Sequence, residues 1–213
     1  ASLTDGPPRD ARWRAPAGHG GRTSRLAYKQ ERRREAKAVW RGFPQARLAF
    51  SNVLDQELSH RLAPAEAWLR HIAEQTRPQL ILAPAFEGGH PDHDAANLLA
   101  ARLSRALDLE AWEYALYTTR AGAMVRQHFP EAPEWSVTLR GSPAAAKQAA
   151  LALYASQRAT LAPFDAHPEA LRPLPRHNYL RRPCAPCVYE LWGCCWSGAE
   201  IAARVAAFRA PVA

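Results

Sequence analysis

Apolar residues recur at helical spacing in several stretches of this chain and crowd into a short continuous run in one. Leu26, Ala36, Val39 and Trp40 stand among charges over residues 25–41, which predicts a helix stopped by Gly42 and Pro44. Trp68, Leu69 and Ile72 follow Pro64, a residue suited to a first helical turn, and predict a helix to about Thr76. Arg77-Pro78 ends it. Residues 79–86 are then almost wholly apolar, the pattern of a parallel strand buried on both faces. Ala95, Leu98, Leu99, Leu103 and Ala106, with the stem of Arg102, mark the next helix, and Glu110 to Tyr117 reads as a further strand.

Shorter signals complete the outline. Ala1 to Leu3 reads as the tail of a strand before the turn Thr4-Asp5-Gly6, and Ala46 to Phe50 as a short strand. Residues 7–24 are rich in Pro, Gly and Arg and read as a loop. Ser142 and Pro143 open a helix running to about Ser156. Residues 159–183, rich in Pro and Arg, read as an irregular wrap. Ser197 to Glu200 forms a capping-box pattern for a last helix with Ile201, Val205 and Phe208 on its inner face. Alternating strands and helices predict an α/β fold with a parallel sheet, in a single domain over 1–213.

Composition narrows the class. At 213 residues, 47% hydrophobic and 23% charged, the chain is an ordinary globular one. No apolar run approaches the ~20 residues of a membrane span, and no secretory leader opens the sequence, so a cytoplasmic location is the expectation. The net charge of +8 is local: residues 1–50 hold 12 Lys/Arg against 4 Asp/Glu, and the rest is neutral. Such a footprint suits nucleic acid, but aromatic and basic residues are not interleaved as a single-strand platform needs. An anionic small ligand or a solvated basic face fits as well. Cys184 and Cys187 form a Cys-x-x-Cys pair open to metal or redox chemistry; Cys194 and Cys195, being adjacent, are poorly placed to chelate together, and semi-buried free thiols are the expected reading.

The densest chemistry lies in Phe86-Glu-Gly-Gly-His90-Pro91-Asp92-His93-Asp94, between the apolar strand and the next helix. Ligands of open α/β sheets bind at the carboxyl ends of strands, and neutral imidazoles with carboxylate partners hold metals. Gly88 and Gly89 let the backbone turn sharply toward a ligand. On spacing alone the same block is also read as a polar turn.

The His-Pro-Asp-His block at 90–93 resembles the second signature of the PIG-L/LmbE-like N-acetylglucosaminyl deacetylases. Weaker likenesses follow in family order: Leu3 to Gly6, the Arg-x-x-Glu of Arg32 and Glu35, Leu54 to Leu58, Arg77 to Pro84, Tyr154 to Gln157, and Glu169 to Arg172 with Leu171 where the family has an aromatic. The resemblance implies a Rossmann-like sheet with helices on both faces and one catalytic Zn2+, with another divalent metal as the alternative. It implies His93 as a metal ligand, His90 as the group beside the scissile carbonyl, Asp92 as the holder of the His90 ring, and Arg32 and Asp55 as contacts to an N-acetylated sugar-type small molecule. The family's earlier His-Pro-Asp-Asp block, source of two more ligands and the general base, has no counterpart here. The expectation is a chain lacking the first, central strand. Two other readings stand beside the enzyme: a catalytically inactive module of the same fold that binds an anionic ligand, and a nucleic-acid binder using residues 9–47.

Overall fold

A computed structural model of the chain describes residues 1–14, 24–129, 135–194 and 196–209. The chain forms two compact units: residues 1–55 with 138–168, and residues 56–137 with 169–213. Among the described residues no helix is long and apolar enough to cross a membrane.

In the first unit, α1 (Arg25–Trp40) is capped by Ser24, whose hydroxyl accepts from the Ala27 N–H. The expected apolar stripe of α1 is not its buried face: Leu26 and Trp40 are exposed, and Tyr28 and Glu35 are buried. These two lie seven residues apart, hence on one side of the helix. The reason for burying a carboxylate is its partner. Glu35 accepts the Ser156 backbone N–H at 2.7 Å and the Ser156 hydroxyl at 2.8 Å, and Arg32 reaches Glu35 at 2.6 Å. Gln157 donates to the Tyr28 hydroxyl at 2.6 Å. The Arg-x-x-Glu and Tyr-x-Ser-Gln likenesses, 120 residues apart in sequence, thus form one polar clamp. The strands expected at 1–3 and 46–50 are reduced to parallel bridges, Ser2 to Phe50 and Pro8 to Asp55.

The second unit is built on α2 (Leu62–Thr76), β1 (Leu80–Pro84), α3 (Pro91–Leu107), β2 (Glu110–Tyr114), β3 (Tyr117–Arg120) and β4 (Ala123–Arg126). β5 (Trp135–Thr138) comes next in the chain, then α4 (Ser142–Ala152) and the single-turn α5 (Arg158–Leu161), which belong to the first unit, then β6 (Pro168–Pro173), α6 (Val188–Leu191) and α7 (Gly198–Arg209). The main sheet has the order β1-β2-β6-β5. β1 and β2 are parallel and joined through α3, in register Leu80 to Glu110 through Pro84 to Tyr114. β6 runs antiparallel to β2, so the α/β sheet is mixed where an all-parallel one was expected.

Other differences have local causes. β1 is an edge strand, and Leu80 and Leu82 are 47% and 52% exposed, so the apolar run is not buried on both faces. The expected strand to Tyr117 breaks after Tyr114, and β3 and β4 form an unforeseen hairpin. Ala121 and Gly122 both have positive φ, the geometry of the two-residue turn that suits hairpin twist. The helix expected to Ser156 ends at Ala152, and its N-cap is Gly141 at φ +58°. The wrap at 159–183 contains β6. The capping box of α7 forms as expected, with Ser197 and Glu200 bonded reciprocally.

Glu113 on β2 is fully buried and closes this unit's polar core. Its oxygens take Arg172 Nε at 2.7 Å, the Asn97 amide at 2.7 Å and His177 Nε2 at 2.9 Å. Burial opposes its ionisation, but His177 and Arg172 outweigh it and hold the carboxyl below its usual range. A depressed carboxyl stabilises the fold above its unfolded pKa and loses that contribution as pH falls through the folded value. Glu113→Ala is therefore expected to cost about 3 kcal/mol in urea unfolding at pH 7, because Arg172 and Asn97 lose their partner. The difference from the wild type should shrink as pH is lowered past about 4; a pH-independent difference would show that Glu113 is not ionised in the fold.

Candidate active site

The loop from Phe86 to His90 leaves the carboxyl end of β1 and enters α3, the place where α/β sheets present ligand-binding groups. Two carboxylates in the first turn of α3 fix it. Asp94 is buried; its Oδ1 accepts the backbone N–H groups of Glu87 and Gly88 at 3.2 and 3.0 Å, and its Oδ2 accepts the Tyr189 hydroxyl at 3.3 Å. Burial raises the Asp94 pKa well above the carboxylate range, against the pull of those two N–H groups. Asp92, also buried, accepts the N–H groups of Gln56 at 2.6 Å and Leu58 at 2.9 Å. Gln56 has φ +69°, so Asp92 secures a backbone turn that a non-glycine residue rarely adopts. The resemblance gave Asp92 the task of holding the His90 ring. A ring nitrogen of His90 and a carboxylate oxygen of Asp92 lie within 4.8 Å of each other.

His90 is the N-cap of α3: its Nδ1 accepts the Asp92 N–H at 3.2 Å. A nitrogen that accepts carries no proton in the neutral ring, so the proton belongs on Nε2. His93, one turn on, has its ring centroid 4.9 Å from that of His90 and 6.0 Å from Tyr117. The Nδ1 of His93 is buried and has no hydrogen-bond partner. Burial lowers the pKa of His90 to about 4; burial, and then the His90 charge, lower that of His93 to about 3. Both rings are therefore neutral at pH 7, the form that ligates a metal. A buried imidazole nitrogen with no partner among the described residues, in the tautomer that leaves it unprotonated, fits a cation.

The two glycines serve the loop in a way the sequence did not foretell. A β-carbon on Gly89 would strike the Tyr117 carbonyl oxygen, and one on Gly88, at φ +73°, would strike the sulfurs of Cys184 and Cys187. The glycines admit close neighbours of the loop. Glu87, between strand and glycines, was not singled out as a residue with a role. It is buried, its Oε1 accepts the N–H groups of Leu116 and Tyr117 at 2.8 and 2.9 Å, and burial raises its pKa to about 7. Its position beside the double glycine was the available signal.

Arg32 lies in the first unit, tied to Glu35 and 3.4 Å from the Ser156 hydroxyl, with its guanidinium 5.2 Å from the Tyr154 ring centroid. Asp55 ends the first segment of the same unit. Of the remaining histidines, His177 is engaged by Glu113, His167 bonds the Leu139 carbonyl, and His71 is exposed beside Gln75. His19 and Cys195 fall outside the described residues.

Comparison with known proteins agrees with the ordered motifs. Residues 1–104 match the PIG-L family, described as GlcNAc-PI de-N-acetylase. Among solved structures, the chain is similar to a deacetylase from the biosynthesis pathway of teicoplanin, crystallised as a deacetylase-bog complex. The two are 18% identical, the match covers 70% of this chain and 74% of that one, and the TM-score is 0.52, a likeness of fold. No curated protein matches the chain. Residues 1–104, a span that ends within α3 and takes in the whole His90–His93 block, are thus similar to the PIG-L family, and the α/β fold is similar to that of a deacetylase.

Proposed function

We propose that this protein works as a metal-dependent de-N-acetylase, hydrolysing the N-acetyl amide of a GlcNAc-type sugar conjugate to acetate and a free amine. The observation that carries the reading is the buried, unpartnered Nδ1 of His93 beside His90, in a loop at the carboxyl end of β1. The matched family and the solved deacetylase point the same way.

In this reading His93 holds a divalent cation, zinc first, through Nδ1. A bound zinc supplies Lewis acidity toward the amide carbonyl and a more acidic water near neutral pH. His90 has the opposite task. Its Nδ1 accepts the Asp92 N–H, which puts the ring proton on Nε2, the proton it would give to a developing oxyanion or to the departing amine. Asp92 and Asp94 set both rings by locking the loop and the first turn of α3. Arg32 and Asp55 are proposed to contact the sugar or its attached group.

His93→Ala should release bound zinc and lower acetate release from an N-acetylglucosamine conjugate by at least ~100-fold. Metal analysis by mass spectrometry, run beside the activity assay, checks it; unchanged zinc content in that variant contradicts the assignment. His90→Ala should keep its zinc and lose roughly 100- to 10,000-fold in kcat, the range expected for removing a proton donor. Loss of zinc from the His90 variant would instead make His90 a ligand.

A further inference from the structure

We propose that Cys184 and Cys187 are a redox-active dithiol that closes to a disulfide by exchange with a small anionic disulfide entering the cleft beside Glu87. The pair stands outside the histidine site. Both sulfurs crowd one point, the place a β-carbon on Gly88 would occupy, with Cys187 Sγ 3.0 Å from it and Cys184 Sγ closer still. The Cys187 thiol donates to the Cys184 carbonyl oxygen at 3.4 Å across the turn Cys184-Ala-Pro-Cys187. Neither cysteine is in a disulfide, and both sulfurs lie within about 3 Å of one point.

The two cysteines differ as an attacking and a resolving thiol must. Cys184 is partly exposed and lines an open cleft of about 570 Å³ that also presents Arg172, His177, Arg181 and Arg182. Cys187 is fully buried against Tyr189 and Ile201. The neighbouring Cys187 side chain, and then Thr119 and Thr118, lower the Cys184 pKa to about 6 against the opposing effect of burial. The thiol of Cys187, beside Cys184 and desolvated, is pushed up. Arg172 is occupied by Glu113, which leaves Arg181 and Arg182, the latter 3.8 Å from Glu190 and still half exposed, as the cleft's exposed cations and favours an anionic partner.

The exchange balances without any further reagent. The Cys184 thiolate attacks one sulfur of R–S–S–R, forming Cys184–S–S–R and releasing RS⁻. Cys187 then gives its proton to a released thiolate and attacks Cys184 Sγ, forming the internal disulfide and expelling the second RS⁻. Two protein thiols are oxidised, and one small disulfide is reduced to two thiols.

Incubation of the full chain with oxidised glutathione, followed by peptide mapping, tests this. A Cys184–Cys187 disulfide is expected in the wild type. Cys187→Ser should trap glutathione on Cys184, while Cys184→Ser should leave Cys187 unmodified. Arg181→Ala with Arg182→Ala should slow the reaction roughly tenfold with oxidised glutathione but not with neutral dipyridyl disulfide, since only the anionic reagent is steered. A wild-type chain that stops at a glutathione adduct, or that oxidises Cys194 before Cys184, overturns the proposal. So does a Cys184–Cys187 pair that takes up zinc and resists the disulfide. Circular dichroism of each variant separates a lost thiol from a lost fold.

Discussion

Two buried carboxyl groups at the start of one helix hold the site together. Asp92 and Asp94 sit in the first turn of α3 and reach backbone outside it. Asp92 binds the backbone of Gln56 and Leu58, and Asp94 binds that of Glu87 and Gly88. A buried polar group is costly unless its hydrogen-bonding capacity is used, so these bonds are obligatory, and the backbone they recruit has little freedom left. The loop between β1 and α3 is thereby pinned from both sides. His90 and His93, carried on that same turn, inherit its rigidity.

Rigidity matters because the two rings are held differently. His90 has one nitrogen committed to a backbone N–H, which fixes its tautomer. The Nδ1 of His93 is buried with no hydrogen-bond partner among the described residues. The two ring centroids lie 4.9 Å apart. Burial keeps both rings neutral, so their charge does not change in the physiological pH range. Below the loop the Gly88 gap admits two sulfurs, and the same stretch of backbone borders both the histidines and the dithiol.

How much of this the sequence revealed follows from the range of the interactions. The helices and β1 were legible because their periodicity is local, and the His-Pro-Asp-His block because its residues are contiguous. The capping box of α7 was legible for the same reason. The burial of Glu35 was not: its partner, Ser156, lies 121 residues away, and no local pattern predicts an acid on an inner face. The antiparallel β6 was hidden among prolines and arginines, its pairing decided by contact with β2. The β3–β4 hairpin was missed because Ala121 took a positive φ that Asn or Asp would have advertised. Gly88 and Gly89 were noticed, but sequence alone gave them a ligand to approach where the fold gave them Cys184, Cys187 and the Tyr117 carbonyl.

The central claim is that His93 Nδ1 faces a metal. Crystals of the natural protein grown with zinc, with diffraction collected on either side of the zinc absorption edge, test it without reliance on turnover or substrate. The account predicts an anomalous peak at coordination distance, about 2.0–2.1 Å, from His93 Nδ1. A peak only at the cysteine pair, or none near α3, would contradict it.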